Sequence, residues 1–269
     1  MSAVDPQKVA ALLAEIAQSE VMPRFRNLAA GDIRRKHDGE AVTVADEAAE
    51  RALIPPLLKL LPGSVVLGEE GAAADPALLG RLAGDAPVWV IDHIDGTKNY
   101  AEGKPDFGVM VALVRRGETV SGWIHRPIEG ATYMAERGGG AWRDGARLTS
   151  ARALQPDREL SGSIRFGMFP ENRREAMRAR VREGLGRVGS RNCVAREYTD
   201  MAEGRQHFAL FRNLKPWDHA PGALLVEEAG GHVTKWDGTF YRPTDTEGGL
   251  LAGLSREAWT RIRAFLSEN

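Results

Sequence analysis

Between residues 107 and 142 the chain carries three strand-length apolar runs at hairpin spacing, and this feature narrows the possible folds more than any other. The runs are residues 109–114, 120–124 and 131–135, with Arg116-Gly117 as the turn between the first two. Strands that follow one another this closely pair antiparallel, because a parallel return needs a crossover of a dozen or more residues. Gly138, Gly139 and Gly140 continue the series as a tight turn; no Lys-Ser or Lys-Thr follows them, as a phosphate-cradling P-loop would require. Upstream, residues 88–91 form a short apolar run bounded by turn signals, as a buried strand would, and it delivers the chain into Asp92-His93-Ile94-Asp95-Gly96. Carboxylates are therefore expected at a strand end.

Helical patterns flank this region. Asp5 followed by Pro6 reads as an N-cap and first helical position, with Val9, Leu12, Leu13 and Ile16 on one face. A second helix is expected from near Asp46 through Leu53, Ile54, Leu57 and Leu58, kinked or broken at Pro55 and Pro56. Residues 170–184 read as a charged, exposed helix, and Asp218 as the cap of a helix containing Ala220, Leu224 and Leu225 and stopped by Gly230-Gly231. The last helix spans about residues 256–266, with Trp259, Ile262 and Leu266 inward. The segment 151–157 is the best internal boundary.

Composition removes whole classes of function. With 43% hydrophobic and 27% charged residues, the 269-residue chain has an ordinary globular make-up, large enough for one domain or two packed halves. A formal net charge of −1, without any Lys/Arg block, argues against nucleic acid as partner. The single cysteine, Cys193, cannot form an intrachain disulfide, and the first residues lack the basic stretch and apolar run of a signal peptide, so cytoplasmic residence is expected. The longest apolar run, 109–114, falls far short of the ~20 residues that span a bilayer, and no membrane association is expected.

Six acidic residues carry the chemical interest. The spacing of Asp92 and Asp95 lets both carboxylates converge on one point outside a sheet, although an Asp-Gly turn with one aspartate capping the next helix explains the pair alone better. Glu69 and Glu70 follow Val65-Val66-Leu67-Gly68, another strand-like run, and read by themselves as a solvated loop. Asp46 and Asp218, taken singly, read as helix caps. His93, His125, His207, His219 and His232 show no zinc-ligand spacing and Cys193 has no partner cysteine, so all are expected to be structural; Trp89, Trp123 and Trp217 sit in apolar contexts that suit core packing.

The combination says more than its parts. Val42-Thr43-Val44-Ala45-Asp46, Gly68-Glu69-Glu70, Trp89-Val90-Ile91-Asp92-His93-Ile94-Asp95-Gly96-Thr97 and Trp217-Asp218, in that order, resemble the signatures of the inositol monophosphatase family. The likeness runs from about residue 36 to 231, includes residues 138–145 and Glu228-Ala229-Gly230-Gly231, and fades between about 155 and 200. His93, where the family usually has proline, and Lys98 after the threonine depart from the pattern without removing a ligand.

The resemblance implies a layered αβαβα sandwich, an α/β (α+β) fold spanning residues 1–269 as one phosphatase domain. Its N-terminal half, about 1–152, would carry most metal ligands, and its C-terminal half, about 153–269, would carry Asp218 and the substrate pocket. A homodimer is implied as well. The implied activity is Mg²⁺-dependent hydrolysis of a small soluble phosphate monoester, with two or three Mg²⁺ per site and inhibition by lithium. By family likeness Asp92 would bridge two ions, with Glu69 and the carbonyl of Ile94 on the first and Asp95 and Asp218 on the second. Glu70 would orient a water, with a third ion as an option, while Asp46 and Thr97 would hydrogen-bond and deprotonate the attacking water. No covalent enzyme intermediate is implied. Gly96 and Thr97 would open a helix whose N–H groups face the phosphate, and Lys36 matches a family lysine near the site.

The substrate is the open part. Histidinol phosphate, fructose 1,6-bisphosphate, 3′-phosphoadenosine nucleotides and NADP are substrates within the superfamily, and from another class stands a regulatory protein that binds the transcription machinery. Every matched ligand is present, which favours an enzyme. Inositol monophosphatases place a glutamate six residues before the tryptophan of Trp-Asp to accept hydrogen bonds from ring hydroxyls; the corresponding residue here is Phe211, so inositol 1-phosphate is expected to be a poor substrate. Arg191, Asn192, Arg196 and Arg212 suit either a substrate carrying a second anionic group or a base, or a solvated arginine cluster.

Overall fold

The computed structural model describes residues 4–36, 39–150 and 159–267. Helix α1 (Pro6–Ile16) starts as expected: Asp5 accepts a hydrogen bond from the Gln7 amide, Pro6 takes the first turn, and Val9, Leu13 and Ile16 are buried. A short hairpin, β1 (Ile33–Arg35) and β2 (Ala41–Thr43), leads into α2 (Val44–Leu60). This helix corrects two expectations. It begins at Val44 with Thr43 as its cap, so Asp46 sits inside the first turn as the acidic member of a capping box. It also runs unbroken through Pro55 and Pro56. Each proline removes one backbone bond, to the carbonyls of the exposed Arg51 and the half-buried Ala52. Complete burial of Ala45, Ala49, Leu53 and Leu57 on the opposite face offsets the loss.

The apolar runs form one seven-stranded sheet. Strands β3 (Val65–Gly68), β4 (Val88–Asp95), β5 (Gly108–Arg115), β6 (Glu118–Arg126), β7 (Ala131–Glu136), β8 (Gly140–Arg143) and β9 (Ala146–Leu148) lie side by side in chain order. Only β3 and β4 are parallel; the rest is an antiparallel meander. Arg116 and Gly117, at φ 49° and 75°, make the left-handed turn that a two-residue hairpin demands. β4 extends past residue 91 to Asp95, buried along its whole length, and its register against β5 shifts between Asp92 and Asp95. The two aspartates thus occupy the irregular end of a strand. Short helices α3 (Glu69–Ala74) and α4 (Thr97–Ala101) follow β3 and β4.

After residue 159 a second, four-stranded sheet forms from β10 (Gly162–Ile164), β11 (Phe208–Phe211), β12 (His232–Lys235) and β13 (Leu250–Gly253), ordered β10-β11-β13-β12. Helices α5 (Glu171–Gly184), α6 (Val194–Ala202), α7 (Pro216–Glu228) and α8 (Arg256–Ser267) accompany it. α7 begins at Pro216, so Asp218 lies in its first turn and is not its cap. The boundary expected at 151–157 lies outside the described residues. Alternation along β11 assigns the faces: Ala209 and Phe211 pack with α6 and α7, Phe208 and Leu210 with α5 and α8. On the large sheet, Trp89 and Trp123 pack with Leu13, Leu53 and Leu57 of α1 and α2, while the opposite face meets α6 and α7. The layers read α1–α2, large sheet, α6–α7, small sheet, α5–α8, which is the expected αβαβα sandwich. No helix among the described residues is long and apolar enough to cross a membrane.

The central helix layer depends on two close approaches. A Cβ at Gly122 of β6 would lie 2.8 Å from the Pro221 Cα of α7, and one at Gly222 of α7 would lie 2.0 Å from Cδ2 of the fully buried Tyr198 on α6. Glycine lets α7 wedge between sheet and helix, and α7 carries Asp218. Gly222→Ala is therefore expected to destabilise the protein by about 1–3 kcal/mol or more through overpacking. Urea unfolding checks this; an unchanged midpoint would contradict the packing described.

Candidate active site

The first carboxylates come together through strand register. Gly68 pairs with Ile91 as the last pair of the parallel β3–β4 ladder, so Glu69, just past β3, and Asp92, the next residue of β4, fall at one edge. A cavity of about 690 Å³ opens there, lined by Glu69, Asp92, Ile94, Asp95, Gly96, Thr97, Asn192, Lys215 and Asp218 among others. Gly96, at φ 81°, turns the chain from β4 into the five-residue α4. Asp218 arrives from α7, in the other half of the chain.

Asp46 faces this cluster from the start of α2. Its Oδ2 accepts hydrogen bonds from the Thr43 amide (2.8 Å) and the Thr43 hydroxyl (2.7 Å). Its Oδ1 lies 3.3 Å from the Thr97 hydroxyl, which also stands 2.8 Å from the carbonyl oxygen of Ile94. Burial raises the Asp46 pKa to about 6 against the opposing hydrogen bonds from Thr43. Thr97, Asp46 and Ile94 thus form one contiguous polar group.

Asp95 is held from the opposite half of the chain. Its Oδ2 accepts from the Ala195 amide at 2.8 Å and from the Cys193 thiol at 2.8 Å. Burial pushes Asp95 up to about 6, with those two donors pulling the other way. Cys193, read from sequence as merely structural, is therefore a direct partner of the acidic cluster. The one signal for it was its position ahead of the helical stretch that becomes α6, where a capping side chain belongs.

Two lysines balance part of the charge. Lys36 Nζ lies 2.9 Å from Glu69 Oε1 and 2.6 Å from Glu70 Oε1. Lys215, which the sequence reading passed over, lies 2.6 Å from Glu40 and 3.6 Å from Glu69. Burial alone would lower the pKa of either ammonium, but the adjoining carboxylates outweigh it and hold both above the ordinary lysine value. Glu69 is half-buried, yet Lys36 and Lys215 hold its carboxyl below the usual range.

Asp92 and Asp218 are less well served. Burial, then repulsion from Glu69 and Asp95, raises the pKa of both well above the ordinary value for aspartate; Asp218 adds to the repulsion on Asp92, and Lys215 offsets part of the rise at Asp218. Neither carboxylate accepts a hydrogen bond from a described residue, although both line the cavity. Among the described residues no three His, Cys, Asp or Glu side chains already stand in a cation-holding geometry. The donor set is nonetheless suited to a hard divalent cation: carboxylate and carbonyl oxygens only, with the buried Asp92 and the half-buried Asp218 in no ion pair among the described residues.

The remaining candidates divide. Asn192 lines the cavity, and Arg191 lines an adjoining one. Arg196 points into ion pairs with Asp106, Glu129 and Asp200. Phe211 is only 2% exposed, stacked on Tyr198 at 5.1 Å between ring centroids, and it lines neither cavity. The placement of Phe211 in a substrate pocket is corrected accordingly: β11 alternation turns its ring into the core. His93 is buried beside Glu50, with Nε2 3.5 Å from the carboxylate.

Comparison with known proteins shows the family. A sequence model of the inositol monophosphatase family matches residues 5–267. The chain is 34% identical over 210 residues to an inositol-1-monophosphatase from Rhizobium meliloti, covering 76% of this chain and 75% of that one. It is 31% identical over 229 residues to the Nus factor SuhB of Pseudomonas aeruginosa, covering 80% of each. The solved structure of a Thermotoga maritima IMPase superposes with a TM-score of 0.80 at 25% identity, covering 97% of both chains. Acidic motifs, layered fold and sequence likeness along nearly the whole chain lead to one conclusion: this protein belongs to the inositol monophosphatase family and is a phosphoric monoester hydrolase.

Proposed function

We propose that the chain hydrolyses the phosphate monoester of a small soluble metabolite by direct attack of water, with Mg²⁺ as cofactor. The observation that carries this reading is that Asp92 and Asp218, whose carboxylates accept no hydrogen bond from a described residue, line the same cavity as Thr97, whose hydroxyl stands beside Asp46. Glu69, Asp92, Asp95, Asp218 and the Ile94 carbonyl would hold two ions, in keeping with a metal-dependent family. Bound there, the cations neutralise charge on the phosphoryl oxygens and make water a stronger acid.

The chain's own residues supply orientation and a proton path. With Oδ2 of Asp46 engaged by Thr43, only Oδ1 is free to take a proton, and Thr97 stands beside it. Thr97 donates to Asp46 or to the Ile94 carbonyl and keeps a lone pair for a water hydrogen, so it can fix an attacking water against Asp46. Glu70 would orient water from the other side when released from Lys36. The backbone N–H groups opening α4 would face the transferred group.

Full activity is expected to disappear on exhaustive dialysis against EDTA and return with Mg²⁺; phosphate release that persists in EDTA would overturn the cofactor assignment. Asp92→Asn is expected to abolish turnover and weaken Mg²⁺ binding measured by calorimetry. Thr97→Ala, in contrast, should slow kcat on the order of 10²-fold and leave the Mg²⁺ affinity intact. Equal loss of affinity in the two variants would contradict the division of roles.

Within a phosphate panel, inositol 1-phosphate is expected to rank low. With Phe211 turned into the core, its position brings no acceptor to the cavity for ring hydroxyls, and each hydrogen bond so forgone costs about 0.5–1.5 kcal/mol, up to about tenfold in kcat/KM. The highest kcat/KM on inositol 1-phosphate among histidinol phosphate, fructose 1,6-bisphosphate, adenosine 3′,5′-bisphosphate and NADP would refute this.

A further inference from the structure

Lys215 is the one half-buried cation, among the described residues, in the wall of the acidic cavity that Asp92, Thr97 and Asp218 also line; Arg35 and Lys98, further along the wall, stand exposed. Its backbone is fixed from both sides. Leu214 is buried ahead of it, and Pro216 takes the first turn of α7 and keeps the residue before it extended, at φ −71° and ψ 125°. The Lys215 carbonyl oxygen accepts from the Asp218 amide at 3.2 Å, which sets the two residues relative to one another. The lysine side chain is the part left to move.

That side chain has two partners of unequal strength. Glu40, on the exposed loop between β1 and β2, holds the ammonium at 2.6 Å, whereas Glu69 stands at 3.6 Å, beyond hydrogen-bonding distance. Lys36 differs, for it binds Glu69 and Glu70 at 2.9 and 2.6 Å and does not line the cavity. Of the two lysines, Lys215 is the one placed to change partners. Its charge is also needed. Six carboxylates, those of Asp46, Glu69, Glu70, Asp92, Asp95 and Asp218, face two ammonium groups, an excess that two divalent cations cancel only while both lysines remain. A phosphate monoester enters as a dianion, and a site short of one lysine would meet it with net negative charge.

We propose that Lys215 is a phosphate-binding residue released by metal: it serves Glu69 while no cation is bound there, and passes to an oxygen of the substrate phosphate once a divalent ion takes Glu69. The proposal rests on the phosphatase reading above and adds a residue to it. An ammonium loses to a divalent cation in competition for a carboxylate and is then repelled by it, while Glu40, outside the ligand set, keeps the lysine at the cavity. Lys215 Nζ can then donate charge-assisted hydrogen bonds to the phosphate. No bond is made or broken in this step; hydrogen-bond partners change.

Calorimetry on wild type, Lys215→Met and Lys215→Arg tests the exchange, because the two ligands should respond with opposite signs. With Mg²⁺ alone, Lys215→Met is expected to bind the ion about threefold to tenfold more tightly, since a competing cation is gone. With Mg²⁺ saturating, the same variant should bind inorganic phosphate about tenfold more weakly and raise KM in step, with kcat changed less. Lys215→Arg, which keeps the charge, should recover most of that loss. Lys215→Gln serves with the same expectations as Lys215→Met should that variant not fold. A lysine that only supports the fold would weaken both ligands, and one that only screens Glu69 would leave phosphate affinity unchanged; either result overturns the proposal, as does phosphate binding that depends on Lys215 equally without Mg²⁺. Opposite shifts in Mg²⁺ and phosphate affinity with no ester hydrolysed keep the exchange and sink the proposed hydrolysis, whereas hydrolysis with KM and phosphate affinity unmoved in Lys215→Met sinks the exchange alone.

Discussion

The mutual repulsion of buried carboxylates at one edge of the large sheet is the constraint around which this molecule is arranged. Asp92 and Asp95 are buried and Asp218 half-buried at this edge, close enough for charge on one to act on another, and Glu69 adds to it. Buried like charges raise one another's pKa and oppose folding unless counter-charge is near. The chain supplies that charge incompletely: Lys36 and Lys215 satisfy Glu69 and Glu70, while Cys193 and Ala195 satisfy one oxygen of Asp95. What is left unpaired, on Asp92 and Asp218, is the part that a cation would complete. Stability given up at this edge is recovered in the apolar clusters on either side of the sheet.

Assembly of the edge demands close packing far from it. Asp218 belongs to α7, and α7 reaches the cavity only because it lies pressed between the large sheet and α6. Cys193 and Ala195 come from the start of α6, the other helix of the same layer. A half-ångström shift in that layer would move Asp218 against Asp92 and loosen Asp95 together. The site is thus a product of interlayer packing as much as of local motifs, and it answers to substitutions such as Gly222→Ala that touch no reacting group.

Much of this was legible in the chain. Residues 109–114, 120–124 and 131–135 announced the antiparallel meander because strand alternation and turn residues are local signals, and Asp5-Pro6 announced α1 for the same reason. The order of the acidic motifs pointed to the family. Other expectations failed where a distant contact decided the outcome. Pro55 and Pro56 do not break α2, since the burial of Leu53 and Leu57 outweighs two missing backbone bonds. Phe211 turns into the core, because side-chain direction on β11 is set by which sheet face meets α6 and α7.

By itself, then, the sequence determined which oxygens could serve a hard cation and roughly which strands and helices would carry them, because motif order, capping residues and periodicity act over a few residues. It did not determine that Cys193 donates to Asp95 across nearly a hundred residues, that Lys215 joins Lys36 at Glu69, or that arginines from two loops gather in a cavity beside Asn192. Those contacts join segments far apart in the chain, and their partners are chosen only when the layers close on one another and burial makes an unpaired polar group costly.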